Sequence, residues 1–395
     1  MNVKSIWNKV YPHVGAVIIF IAIAIIYLKP ATEGMVLQQS DSIQFQAMAK
    51  DLTNYVEKQG HNPLWINNQF SGMPSTSLSA RGFDIGIFGY LTINRFFNLL
   101  ELYNRGNPIS LFFIMCLGFY FLTQVLGFRY WISILGSIAF AYSSNTPILI
   151  NAGHITKVWA IAYSAFSLAS LILIFKKKYL WGATLLTIFL TILQTCRHLQ
   201  ISYYFMIVAL VTTLFYIIPS IKEKDYKHII KSFLICISSI LIMVCVNVID
   251  LSMTQDYAKA TMRGGSELLE ENKSNNDSKK ETKKSSGLSI DYAFNWSYGI
   301  FETFTLMVPN VQGGGSNTPY PEDSKFFSEI INAGVNQQQA QSLAQQIPMY
   351  WGNQPFTSGP IYIGIIIIFL FIYGMFYIKT WHRWWIGSLI LIAII

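Results

Sequence analysis

Apolar residues in this chain come in long, nearly unbroken runs, not in the alternation of a strand or the one-sided stripe of a soluble helix. Runs long enough to cross a hydrocarbon core, which takes about 20 helical residues, fall near 11–28, 108–127, 130–150, 158–175, 179–195, 201–219, 230–250 and 359–378. A further run starts at about 384 and is still apolar where the chain stops, at Ile395. Within lipid each backbone polar group needs a partner inside its own segment, so these runs are predicted to be helices. Polar stretches separate them, of which 29–107 and 251–358 are long. The first run follows Lys4 and Lys9 and leads into LKPATEGMVLQQSD without a small-residue cleavage site, so it reads as an uncleaved anchor and not a signal peptide. Because the last run is too short to span, the chain is expected to be a piece of a longer protein.

Cations set the predicted sidedness, since short cytoplasmic loops collect Lys and Arg. With the N-terminus inside, the inner turns carry Arg129, Lys176–Lys178, Lys222 to Lys231, and Lys379 with Arg383. The outer side then receives 29–107, 251–358 and the short turns NAGHITK and CRHLQ. The expected fold class is therefore an all-α polytopic membrane protein with two long outer loops. Three polar segments qualify that picture. Residues 86–100 are apolar but interrupted by Asn94 and Arg95, which favours an interfacial or re-entrant piece over a span. Residues 267–286, rich in charge, Ser and Asn, read as a disordered insertion. Residues 332–347 read as a short surface helix ending before Pro348.

Composition agrees with the pattern. Only 12% of the residues are charged and 52% are hydrophobic, whereas soluble domains carry about 25% charged residues. The net charge of +8 is accounted for by inner turns, so no nucleic-acid partner is expected. Cys116, Cys196, Cys236 and Cys245 lie in or beside apolar runs without CxxC spacing, and neither a zinc site nor a disulfide framework is indicated. GGGS at 313–316 lacks the Lys-Ser or Lys-Thr of a phosphate loop.

The candidate chemistry lies on the predicted outer side. Asp41 opens a stretch whose apolar residues Ile43, Phe45, Ala47, Met48 and Leu52 have helical spacing, so it is expected near a helix N-terminus. It reads either as a helix cap or as a general base or metal ligand. The following NPLWINNQFSGMPS is dense in amides and aromatics, which suit the hydroxyls and apolar faces of a sugar. His154 with Lys157, and Arg197 with His198, stand at two outer turns. Each cation reads either as a snorkelling side chain or as part of a pocket for a lipid phosphate. Asp250, Asp256 and Arg263 read as capping or solvated loop, and Glu302, between Phe301 and Phe304, as a buried-carboxylate candidate.

SDSIQFQAMAKDL, NPLWINNQFSGMPS, NAGHITKVWA, QTCRHLQISYYF and FTLMVPNVQGGGSN, in this order and placement, resemble the bacterial YfhO membrane-protein family in its Bacteroidetes-type version. That family is similar to GT-C glycosyltransferases. The resemblance implies a GT-C-like transmembrane bundle in the bacterial inner membrane. It further implies a polyprenyl-phosphate-linked sugar as donor and an envelope glycan or lipid as acceptor. It places Asp41 where GT-C enzymes keep a first-loop catalytic acid, and His154, Lys157, Arg197 and His198 at outer positions facing the lipid phosphate. Asp41 is followed by Ser42 and Ile43, not by the second acid of a DxD pair, so a divalent metal is left open as a cofactor. Family members are longer and carry an outer C-terminal domain. The expected activity is thus sugar transfer on the outer face. The rival expectations are a transporter or flippase of lipid-linked saccharide and a non-catalytic envelope assembly factor. Clustering of the charges at span ends, away from span interiors, favours the enzyme.

Overall fold

The computed structural model describes residues 3–75, 78, 107–261, 290–357 and 359–394. The expectations for 86–100 and 267–286 lie outside these residues. The membrane-type helices are α1 (Val3–Tyr27), α4 (Pro108–Leu126), α5 (Tyr130–Ala141), α6 (Asn145–Ala152), α7 (Ile155–Phe175), α8 (Tyr179–Thr195), α9 (Leu199–Lys222), α10 (Tyr226–Val246), α14 (Ile365–Tyr377) and α15 (His382–Ile394). Between α1 and α4 come α2 (Ser40–Met48) and α3 (Lys50–Gln59) and a two-stranded ribbon, β1 (Trp65–Ile66) with β2 (Met73–Pro74). After α10 come α11 (Val248–Lys259), α12 (Lys325–Asn332) and α13 (Gln337–Gln346). Among the described residues, five helices are long and apolar enough to cross a membrane by length and composition. The fold is an α-helical bundle of the multi-pass membrane kind.

The helix ends follow local chemistry. Asn107 accepts a hydrogen bond from the Ile109 amide ahead of Pro108, and Gly127 closes α4 in the left-handed region at φ 97°. Asp225 caps α10 through the His228 amide. Along the apolar helices, hydroxyls return to the carbonyl four residues back, as in Ser137 to Ser133, Ser170 to Phe166 and Thr212 to Val208. This satisfies polar atoms where no water is at hand. Between helices, Gln124 donates to Ser133 at 2.7 Å, Thr187 to Ser239 at 3.0 Å and the Trp385 indole to Thr212 at 3.0 Å.

The most apolar window of α7 is 83% buried, against 11% for α9 and for α10, so α7 is the central post. It packs on α4 and α8, and glycines set those approaches. A Cβ on Gly118 would stand 2.7 Å from the Ala162 carbonyl oxygen, and one on Gly182 would stand 2.8 Å from the Ile174 amide nitrogen. Small residues let membrane helices come this close. Gly182→Ala is expected to cost roughly 1–3 kcal/mol by overpacking, read as a Tm lowered by several degrees in detergent. Gly15→Ala, at a position with nothing within 4 Å of the added atom, is the control expected to leave Tm unchanged or slightly raised.

Two windows differ from their sequence-based expectation. The window 130–150 is two helices, interrupted at Tyr142–Ser144. The window 359–378 begins extended and becomes helical only at Ile365. The two irregularities meet: Ser144 Oγ accepts from the Tyr362 amide at 2.6 Å, and the Ser144 hydroxyl and amide both reach the Tyr362 carbonyl, at 3.2 and 3.4 Å. Each breach of helical pairing thus supplies partners for the other, which keeps these backbone groups satisfied. The Gln- and Ala-rich segment does form a helix before Pro348, α13, which packs on α12 through Ala340, Ala344 and Phe327.

Candidate functional site

Contacts between elements distinguish the two ends of the bundle. At one end Lys176 Nζ donates to the Val125 carbonyl, Lys177 pairs with Asp225 at 2.6 Å, and the Tyr179 hydroxyl meets His228 Nδ1 at 2.7 Å. This is the end bearing the basic turns. At the opposite end the polar loops converge.

There α6 ends at Gly153 in the left-handed region, φ 93°, and His154 takes the N-cap position of α7. The His154 Nε2 lies 2.9 Å from Asp41 Oδ2, with about half of each side chain exposed. Two features seat Asp41 here. The buried Gln39 donates through Nε2 to the Ile150 carbonyl and accepts from the Ser42 hydroxyl at 2.9 Å, which pins the start of α2 to the end of α6. Gly153 then leaves room, since a Cβ there would stand 3.0 Å from Asp41 Cβ and 3.1 Å from the Ser42 amide nitrogen. Asp41 lies in the first turn of α2, as its spacing predicts. The capping alternative is corrected, because the cap position belongs to Gln39 and Asp41 engages an imidazole instead.

Lys157 stands half-buried in the first turn of α7 and has no ion pair among the described residues. His198 caps α9, its Nδ1 accepting from the Ile201 amide at 3.4 Å. Desolvation pushes the His198 pKa below its ordinary value; the positive charge of Lys157 and the nearby His154 add to that, and its own backbone opposes it. The folded pKa therefore lies below the unfolded one. The unfolded chain takes up more protons, and stability present above about pH 6.5 is lost as pH falls below that value through the folded pKa. His198→Gln is expected to flatten the fall in Tm between about pH 7.5 and 5.5, measured by thermal unfolding in detergent.

Arg197 corrects a second expectation. It occupies the left-handed region at φ 57° in the turn between α8 and α9, and its Nη2 reaches Asp250 Oδ1 at 2.6 Å. Asp250 is thus an ion-pair partner from α11, not a cap or a solvated loop residue. Beside this pair Thr195 donates to Asn247 at 3.2 Å, holding the ends of α8 and α10 together. Four sequence-selected residues, Asp41, His154, Lys157 and His198, form one neighbourhood, and Arg197 is engaged separately by Asp250.

NPLWINNQFSGMPS folds as the β1–β2 ribbon, with Trp65 opposite Pro74 and Ile66 opposite Met73. Its turn runs through positive φ at Phe70, Ser71 and Gly72, and a Cβ on Gly72 would strike the Trp65 ring at 2.7 Å. Met73 and Ile66 pack with Leu52 and Ala49 under the loop, leaving Trp65 and Phe70 exposed. Among the described residues no three His, Cys, Asp or Glu side chains are placed to hold a metal ion. Asp41 and His154 supply two donors, fewer than the three or four of a zinc site. Gln39 carries no motif that marks it in the sequence, and the pairing role of Asp250 follows only from the topology that puts it at the same end as Arg197.

Compared with family models, curated proteins and solved structures, the chain finds no match.

Proposed function

We propose that this chain is an integral membrane glycosyltransferase of GT-C type, related to the YfhO family, which moves a sugar from a polyprenyl phosphate to an envelope glycan or lipid. The reaction takes place on the outer face of the bacterial inner membrane, with the N-terminus cytoplasmic. The observation that carries the reading is the Asp41–His154 pair, which joins the first long loop to the bundle beside Lys157 and His198. The acceptor oxygen attacks the anomeric carbon while the bond from that carbon to the phosphate oxygen breaks. Asp41 takes the acceptor's proton, and His154 holds the carboxylate by donating to Oδ2. The leaving polyprenyl phosphate keeps the electron pair, and Lys157 offsets its charge. The exposed Trp65 and Phe70 offer apolar faces to a sugar ring.

The test is reconstitution of the protein with a polyprenyl-phosphate-linked radioactive sugar and an envelope extract as acceptor. Label in the acceptor fraction is the expected result. The interrupted third span and the extended segment at 359–364 favour a second reading, a flippase, because transporters build sites from discontinuous helices. Movement of the lipid-linked sugar between leaflets with no transfer would put that reading ahead.

Orientation has its own check. A single cysteine at position 280, in a background without Cys116, Cys196, Cys236 and Cys245, is expected to react with an impermeant maleimide added outside intact cells. Reaction only after the cytoplasmic side is opened would invert the topology.

A further inference from the structure

The turn 302–306 of the second long loop surrounds a carboxylate that the Asp41 chemistry does not use. Glu302 is 4% exposed. Its Oε2 accepts from the Gly299 amide at 2.7 Å, and its Oε1 accepts from the Tyr350 hydroxyl. Tyr350 in turn accepts from the Gln354 amide at 2.8 Å. The backbone crowds this carboxylate as only glycine permits, since a Cβ on Gly352 would clash with both Glu302 Oε1 and the Tyr350 hydroxyl oxygen. Beside it opens a cavity of about 540 Å³, lined by Glu302, Tyr298, Gln312, Asn353 and the exposed Phe301. The Gln312 and Asn353 side-chain amides have no hydrogen-bond partner among the described residues. Trp351, next to Gly352, is 70% exposed, and its amide is tied to the Gln312 carbonyl at 3.1 Å.

We propose that this cavity is a saccharide-binding site. Its size suits one or two sugar rings, given that small-molecule pockets run about 300–1,000 Å³. Unengaged amides pair with hydroxyls as both donor and acceptor. A carboxylate fixed by two donors is pre-organised to accept from a further hydroxyl, and exposed aromatic faces cover the apolar side of a ring. The rival explanation for the exposed rings is insertion into the membrane interface. Amides and a carboxylate gathered in one cavity favour hydroxyl recognition over lipid contact. The site is physically linked to the bundle: the Ile363 amide donates to the Leu306 carbonyl at 3.1 Å, and Tyr362 joins Ser144. The proposal does not depend on Asp41, because it concerns binding without turnover.

The full chain in phosphatidylcholine nanodiscs is titrated by calorimetry with methyl glycosides of glucose, galactose, mannose and N-acetylglucosamine, and with chitobiose. At least one is expected to bind with Kd of about 0.1–1 mM. Asn353→Ala and Gln312→Ala, which remove no internal hydrogen bond, are each expected to weaken that binding about tenfold, the worth of one lost hydrogen bond. Binding is expected to persist in Asp41→Asn. No binding by any of the five at about 20 mM, or binding indifferent to both amide variants, would overturn the proposal. So would a component of the tryptophan quenching by brominated lipid that is lost in Trp351→Phe, since it would place the segment beside Gly352 in the bilayer.

Discussion

Asp41→Asn is expected to lower sugar transfer by roughly 10²–10⁴-fold while the protein expresses and melts as the parent does. The amide keeps the shape of the side chain, and its oxygen still accepts from His154 Nε2, so the junction of α2 with α6 and α7 survives. What it loses is the capacity to take a proton from the acceptor hydroxyl. Binding of the lipid donor should hardly change, because the phosphate is assigned to Lys157. The structural reading predicts otherwise: if the pair only fastens the first loop, Asn fastens it nearly as well, and transfer stays at the parental rate. His154→Gln supplies the companion measurement. Glutamine retains one donor toward Asp41 but not the ring, so an intermediate loss of turnover with unchanged donor binding marks His154 as the group that positions the base. The assay is steady-state transfer in proteoliposomes, with expression and Tm as controls. Parental transfer by Asp41→Asn would leave the flippase reading ahead.

Lys157→Ala is expected to weaken binding of a polyprenyl phosphate about 10- to 100-fold, the equivalent of one charge-assisted hydrogen bond of roughly 1.5–3 kcal/mol. Lys157 is half-buried and carries no ion pair among the described residues, so its charge is available to an anion. Arg197→Ala should cost less, because Asp250 already compensates the guanidinium at 2.6 Å. Arg197→Lys should recover only part of whatever is lost, since an ammonium does not reproduce the planar fork. His198→Ala should also cost less, for its imidazole is held toward the neutral form by burial and by Lys157. Binding is measured by flotation of the protein with liposomes carrying a fluorescent polyprenyl phosphate. Equal binding by Lys157→Ala and parent would return this lysine to snorkelling at the membrane surface.

The run of apolar residues decides where helices lie, because a lipid-facing or buried backbone has no other way to pair its amides and carbonyls. Every predicted apolar window accordingly contains helix, and Asp41 lies in the first turn of α2, as Ile43 and Phe45 predict, although that helix ends at Met48 and Leu52 belongs to α3. The basic turns likewise distinguish the two ends of the bundle in the sequence alone. Periodicity could not reveal the break at Tyr142–Ser144, since apolarity is continuous across it. The polar SSNTP at 143–147 was its local mark, with Pro147 suited to the first turn of a new helix. Nor could it reveal the extended start of the eighth window, although Gly359, Pro360 and Gly364 punctuate that stretch.

The pairings belong to the tertiary structure alone. Asp41 and His154 are joined because Gln39 and Gly153 let one helix start sit against one helix end, and no spacing along a chain encodes that approach. Arg197 meets Asp250 for a similar reason: the turn after α8 and the start of α11 lie at the same end once Thr195 and Asn247 bond α8 to the end of α10. Glu302 is legible as a buried acid between two phenylalanines, but its partner Tyr350 comes from a segment that only the folded loop brings alongside. Local propensity and hydropathy act over a few residues and so write themselves into sequence, whereas charge pairs form wherever packing happens to bring two ends together.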